Sequence, residues 1–146
     1  MKPFHVVVSV FILLLVVTAI SCQKNVAKKF KGEYAFTTIA WTYCGWEVQY
    51  DTVEFFGNIT EGTKTSLRIE YATPIDDTTS NTGIHIDGTI IANVDSEGNL
   101  SNPDYATGDY HKYFRGSFDD AGNVTLQFGY HGLGWGSEQK ISGKKL

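Results

Sequence analysis

A chain of 146 residues with 12 basic and 16 acidic side chains carries a formal charge of −4, and 42% of it is hydrophobic, enough to build one core. Between Gly32 and Gln139 only Lys64, Arg68, Lys112 and Arg115 stand against all sixteen carboxylates. So acidic a body excludes nucleic acid as a partner.

In chain order, Met1-Lys2-Pro3 leads into Val6 to Ile20, fifteen residues that are apolar apart from Ser9 and Thr18. As helix this run would be ~22 Å long, short of the ~30 Å of a bilayer's hydrocarbon. A basic start, an apolar middle and small residues at the end describe a secretory signal, which assigns residues 1–21 to export. The following Ala19-Ile20-Ser21-Cys22 resembles the lipobox of bacterial lipoproteins, with Ala19 where that motif usually has Leu. The resemblance implies a diacylated Cys22, hence a membrane partner and an address in the bacterial cell envelope, at the outer membrane. The same small residues would also suit an ordinary signal peptidase, which would leave a secreted or periplasmic protein.

Residues 22–31 hold Lys24, Lys28, Lys29 and Lys31 and read as a lysine-rich tether before a single domain over 32–146. Beside anionic headgroups each cation would contribute ~1 kcal/mol, or the lysines simply solvate a linker. "NVAKKF" (25–30) allows one helical turn at most. Cys44 is the other cysteine. A domain of this size folds without a staple, so a Cys22–Cys44 disulfide is unmotivated and Cys44 is expected as a small buried hydrophobe.

From Gly32 onward the apolar period is two. "GEYAFTTIAWT" (32–42), "EVQYDTVEFFGNI" (47–59), "SLRIEYA" (66–72), "GIHIDGTIIANV" (83–94), "DYHKYFRGSF" (109–118), "NVTLQFGY" (123–130) and "SEQKISGKK" (137–145) all read as strands. Leu67, Ile69 and Tyr71 share one face, as do Ile84, Ile86, Ile90 and Val94, with polar residues opposite. That alternation suits antiparallel strands around one core. "VDSEGNL" (94–100) and "FDDAGNV" (118–124) share a form in which Asp caps a turn and Gly takes positive φ, the chemistry of a short hairpin loop. Residues 73–82 and 99–109 read as exposed loops.

Seven or eight short strands with late tight hairpins predict an all-β antiparallel up-and-down β-barrel of about eight strands, with a two-sheet β-sandwich as the alternative. "KFKGEYAF" (29–36) resembles the opening of lipocalin-like (calycin) barrels, where a Gly-x-aromatic motif begins the first strand after a short turn; Tyr34 occupies the place of the usual Trp. "KISGKK" (140–145) resembles the last strand of small lipocalin-like domains on bacterial lipoproteins. The resemblance implies a barrel whose mouth can hold a small apolar ligand.

Candidate chemistry is thin. His85, His111 and His131 have no spacing that pre-positions a metal site, and no cofactor is expected. Ser137 is outside any nucleophile motif, and Asp76-Asp77 and Asp119-Asp120 sit in loops where nothing raises a carboxyl pKa. The residues therefore point away from an enzyme. The expected ligand-binding residues are aromatic: Trp41, Tyr43 and Trp46 from "AWTYCGW", with Tyr130 and Trp135 from the glycine-rich "FGYHGLGWGSE" (128–138). They would line the mouth of a barrel that binds a small apolar or aromatic ligand without catalysis. The alternative is a filled barrel serving as a protein-interaction or structural module of the envelope, with an exposed aromatic patch.

Overall fold

The computed structural model describes residues 25–75, 84–105 and 112–146. Eight antiparallel strands form a closed barrel in simple chain order: β1 (Gly32–Cys44), β2 (Glu47–Thr63), β3 (Ser66–Glu70), β4 (Thr89–Val94), β5 (Asn99–Ser101), β6 (Lys112–Phe118), β7 (Val124–Gly132) and β8 (Trp135–Lys145). Closure comes from β1, which pairs with β2 on one side and β8 on the other. The fold is the up-and-down barrel that the alternation predicts, not a sandwich.

The period-two pattern decides what lies inside. On β3 Leu67 and Ile69 are buried and Arg68 is exposed; on β4 Ile90, Ala92 and Val94 are buried and Ile91 and Asn93 are exposed. The two Asp-x-x-Gly-Asn loops are hairpin turns. Asp95 Oδ1 accepts the backbone N–H of Glu97 and of Asn99, both at 2.9 Å, and Asp95 Oδ2 accepts Asn99 Nδ2. Asp119 holds Asn123 in the same way, with both carboxylate oxygens engaged. Gly98 and Gly122 carry the positive φ of +90° and +83°.

Four local expectations are corrected. First, residues 27–30 are part of the barrel, not a free tether: Ala27–Lys29 is a single 3₁₀ turn, and Ala27 and Phe30 are buried. Phe30 stacks on Phe118 at 4.1 Å between ring centroids, and the Tyr34 hydroxyl donates to the Phe30 carbonyl at 2.8 Å and the Gly122 carbonyl at 3.0 Å. The apolar residues on either side of the lysine pair outweigh it and close one end of the barrel like a stopper. Second, the predicted strand 83–94 breaks at Gly88. Its φ is +74°, and a Cβ there would fall 2.4 Å from the Ala72 carbonyl oxygen, so only glycine lets the chain pass. Ile86 then bridges to Ile75, and β4 starts only at Thr89.

Third, the predicted loop 99–109 contains β5, with Leu100 buried. Asn102, also buried, donates from Nδ2 to the Ile91 carbonyl (3.1 Å) and accepts the Asp104 N–H (2.8 Å), which starts a 3₁₀ turn at Pro103–Tyr105. Three strand residues are too few to show a period, and the polar Asn102 disguises its burial. Fourth, Cys44 ends β1 as an exposed thiol, because the hairpin carries it beyond the core.

The interior is filled. Phe30, Phe118 and Tyr34 occupy the closed end, and Leu67, Ile69, Leu126 and Ile141 the middle. Towards the other end Tyr71 meets Phe128 edge-on at 6.1 Å, and Tyr105 meets Phe128 at 5.8 Å and Phe114 at 5.9 Å. An eight-stranded barrel is just wide enough for its own side chains, and these rings take that space.

Candidate functional site

Strand pairing decides where the predicted aromatic residues stand. Along β1 the buried Tyr34, Phe36, Thr38 and Ala40 face inward, so Ile39, Trp41 and Tyr43 face outward. In β2 their register partners are Thr52, Tyr50 and Val48, which an antiparallel pair places on the same face. Trp41 and Tyr43 therefore belong to the outer surface of the sheet, not to the barrel mouth. Trp46 lies in the two-residue connection between β1 and β2 and is fully exposed at 102%. Tyr130 and Trp135 face the inner side at the rim, packed edge-on with centroids 5.2 Å apart. Gly45 N–H donates to the Gly134 carbonyl at 2.6 Å, so the β1–β2 and β7–β8 hairpin tips are joined. The five residues are thus divided between the outside, the tip and the inner rim, and do not line one pocket. Cys22 and His111 lie outside the described residues, as do Asp76 and Asp77.

At the inner rim a recess of about 100 Å³ lies above the filled core, lined by His85, Asp87, Tyr105, Phe128, Tyr130 and Ser137 among others. Its floor is a polar layer in which the Tyr71 hydroxyl donates to Gln139 Oε1 (3.2 Å) and Gln139 Nε2 donates to the His85 carbonyl (3.3 Å). Burial, assisted by the charge of Asp87, pushes the Tyr71 hydroxyl well above its ordinary pKa, so it stays a neutral donor. His85 Nε2 donates to Asp87 Oδ1 at 2.8 Å, but both side chains are more than half exposed. Among the described residues no hydrogen bond links Ser137 to that pair, so the three do not form a nucleophile relay. His131 is on the other face of the sheet.

That outer face carries the more extended constellation. The ring of Tyr43 lies on the backbone of β8: a Cβ at Gly136 would fall 2.5 Å from it. Tyr43 then reaches His131 of β7, with its hydroxyl 3.2 Å from Nδ1 and the rings stacked 6.1 Å apart. His131 stacks in turn on Tyr113 of β6, at 5.3 Å and only 4° between planes. Glu138, in register with Trp41 on one side and Gly129 on the other, is 8% exposed. It accepts from Gln127 Nε2, and its charge lies close to the Tyr113 hydroxyl. Burial first, and this carboxylate second, push the Tyr113 pKa far up, so Tyr113 too remains a neutral donor. At the β2 side of the same face Tyr50 is 65% and Val48 48% exposed.

Ile39, Val48, Tyr50, Tyr113, Gln127 and Glu138 were not among the residues expected from sequence to form a site. A usable signal existed. Folding "WTYCGWEVQY" about Gly45-Trp46 places Tyr43 opposite Val48 and Trp41 opposite Tyr50, as the register has it. Comparison of the chain with protein-family models, with curated proteins and with solved structures gave no match. The fold defines the class: an all-antiparallel, eight-stranded closed β-barrel with a filled interior and an aromatic outer face.

Proposed function

We propose that this protein is a non-catalytic binding module of the bacterial cell envelope, a lipocalin-like barrel held to the membrane by an acylated Cys22, whose contact surface is the outer aromatic face. One observation carries the reading: the aromatic side chains are sorted into two sets. Phe30, Tyr34, Tyr71 and Phe128 are buried inside, whereas Trp41, Tyr43 and Tyr50 stand outside on paired strands. A ligand of any size inside the lumen would have to displace the first set. Exposed aromatic patches of this kind mark contact surfaces.

Two features support the lipocalin-like and anchored parts of the proposal. Gly32-Glu33-Tyr34 opens β1 directly after a short turn that plugs the barrel, and the terminal "KISGKK" strand closes onto it. Asn25, three residues after Cys22, lies at the plugged end, where Ala27 N–H donates to the Lys64 carbonyl. Tyr43 is eleven residues along β1 from Gly32, about 36 Å of strand at ~3.3 Å per residue, so a tether at Cys22 would leave the aromatic residues toward the end of the barrel remote from the anchor. Lysines 28, 29, 31, 64, 144 and 145 share the plugged end with Glu33, Glu61, Asp95, Glu97, Asp119 and Asp120. Charge attraction to headgroups is therefore largely offset there, and anchoring rests on the acyl chains.

A second reading, a small apolar ligand at the mouth, draws on the recess between Tyr105, Phe128 and Tyr130. Titration with a fluorescent fatty-acid analogue separates the two. No saturable binding is expected; one-to-one binding that Phe128→Trp abolishes would move the site into the recess. Membrane fractionation of Cys22→Ser tests the anchor, with release into the soluble fraction expected and unchanged partitioning refuting it.

A further inference from the structure

We infer that the free edge of β2 is a strand-addition site, which takes an extended basic peptide segment antiparallel alongside residues 47–56. The inference goes beyond the outer-face reading and does not rest on it, because the binding groups are the backbone of one strand. β2 runs from Glu47 to Thr63, and β1 pairs with it from Glu47 to Ile59. β3 pairs with it only between Ile59 and Thr63. Past that point the chain of β3 leaves the sheet. The Glu70 carbonyl oxygen lies where a Cβ on Gly57 would clash with it, and the Tyr71 N–H turns to the Gly88 carbonyl at 2.8 Å. Thr38 Oγ1, on the inner face of β1, donates to the Tyr71 carbonyl at 3.4 Å, so this segment crosses the barrel and does not flank β2. Among the described residues, 47–56 therefore have a strand partner on one side only. At ~3.3 Å per residue that edge is about 33 Å long, with backbone N–H and C=O groups still able to pair.

The side chains along the edge say which strand fits. Val48, Tyr50 and Phe56 are 48%, 65% and 79% exposed on its outer side, apolar surface that a paired strand would cover. Glu47, Asp51 and Glu54 are interspersed with them, and neither β1 nor β2 contains a lysine or an arginine. A second copy of β2 laid antiparallel would bring these three carboxylates together with their duplicates and no cation, so the charges oppose self-pairing. The same charges admit a basic strand. Asp51 and Glu54 point to opposite faces of the ribbon, so cations opposite them make a charge pair on each face. β-Branched residues opposite Phe56, Tyr50 and Val48 complete the outer side. In such a complex the main-chain hydrogen bonds supply affinity and the alternate side chains supply selectivity. A lipid has no backbone donors to offer the edge, and a polyanion would meet three carboxylates.

The test is an NMR titration of the full mature chain carrying Cys22→Ser. The probe is a capped peptide, Val-Thr-Lys-Val-Thr-Lys-Val-Thr-Val-Lys, whose lysines oppose Glu54, Asp51 and Glu47 in antiparallel register. Saturable binding is expected, with amide shifts centred on residues 47–56 and slowed hydrogen exchange at alternate residues of that stretch. Replacing the peptide's central Val-Thr by Pro-Pro removes a donor whichever edge the peptide offers, and should abolish binding. Glu54→Lys should weaken binding about tenfold, because an opposite-charge cross-strand pair becomes a like-charge one. Glu97→Lys makes the same change of net charge in an exposed turn at the plugged end and should leave binding nearly unchanged, because a distant charge is screened. Circular dichroism confirms that each variant keeps the barrel. No saturable shift at millimolar peptide overturns the inference. Equal binding of the Pro-Pro peptide overturns it too, by making the contact one of charge alone, as do shifts centred on β6 to β8. A dimer in sedimentation that protects the β2 amides would give the edge to a second copy, and the basic-partner inference would fall.

Discussion

Replacing Phe30 by Ala should cost this protein a large part of its stability, although residue 30 lies in a segment whose composition reads as a linker. The ring is 1% exposed, stacked on Phe118, and close enough to Gly98 that a Cβ there would lie 3.3 Å from its Cζ. Buried Phe→Ala changes cost roughly 3–5 kcal/mol, and a stacked pair contributes ~0.5–1.5 kcal/mol within that. Phe30 sits at the end of the barrel, where water can partly refill the space, so the lower half of the range applies, about 3–4 kcal/mol. Total stabilities of single domains are ~5–15 kcal/mol, so the variant should fold but lose much of its margin. With a urea slope of ~1–3 kcal/mol/M, the midpoint should fall by roughly 1–4 M, and the melting temperature by ~12–16 °C at ~4 °C per kcal/mol. Urea and thermal unfolding followed by tryptophan fluorescence measure both. Lys28→Ala and Lys29→Ala, whose side chains are exposed, should stay within ~0.5 kcal/mol. A loss below ~1 kcal/mol for Phe30→Ala would show that residues 25–31 are a tether after all, and that the barrel's end is closed by something else.

Tyr34 sets an alkaline limit: burial, then the charge of Asp119, pushes its pKa up to about 12 from 10.0. The unfolded chain therefore loses this proton first, and stability should fall between pH 10 and 12 by roughly 2–3 kcal/mol from this group alone. Tyr34→Phe should flatten that limb of the pH–stability curve; an unchanged slope would place the titration elsewhere. At the acid end, Asp95 and Asp119 have lowered pKa values, chiefly through the Asn99 and Asn123 hydrogen bonds. Their contribution should be lost as pH falls below about 4, and Asp119→Ala should blunt the acid transition. Gly116→Ala should cost ~1–3 kcal/mol in urea unfolding, because the added methyl would lie 2.7 Å from Leu126 Cδ2 and 3.1 Å from Leu100 Cβ. Cys44 should be labelled by a maleimide in the native state without denaturant; protection lifted only by denaturant would contradict its exposed position.

The barrel was legible because its driving pattern is local. Alternation on "SLRIEYA" and "TIIANV" names the inward residues one by one, and the paired Asp-x-x-Gly-Asn loops name two of its turns. What was not legible depends on partners distant in sequence. Phe30 is a plug only because Phe118 and Gly98 meet it, and nothing within residues 22–31 records that. Leu100 belongs to a strand of three residues, too short for a period to register. The site failed for a sharper reason. Aromatic content alone suggested a lined mouth, yet a residue's face follows from its parity along a strand. Trp41 and Tyr43 are odd-numbered, while the buried Tyr34, Phe36 and Ala40 are even-numbered, so the two tryptophan-segment rings had to point out once the inner face was known. Trp46 follows the turn at Gly45 and belongs to neither series.

That parity also explains why the two faces can differ so much in character. On the inside, an eight-stranded barrel has room for one layer of side chains from each strand, and Phe30, Tyr71 and Phe128 together with the aliphatic residues occupy it. On the outside no such limit applies, and the long β1–β2 hairpin and the β7–β8 hairpin offer paired positions whose rings need contact only one another. Tyr43 shows how the outer arrangement is held. Gly136 removes the side chain that would have lifted the Tyr43 ring off β8, and the ring then spans the gap to His131 on the next strand. Gly136→Ala is therefore the change that separates scaffold from surface. The added methyl would displace the Tyr43 ring without touching the core, so stability should change by less than ~1 kcal/mol. The Tyr43–His131 hydrogen bond should be lost, read as a shift of the His131 ring resonances in NMR. Unchanged His131 resonances would mean that Tyr43 and His131 are positioned independently, and that the outer face is an aggregate of single rings, not one preformed surface.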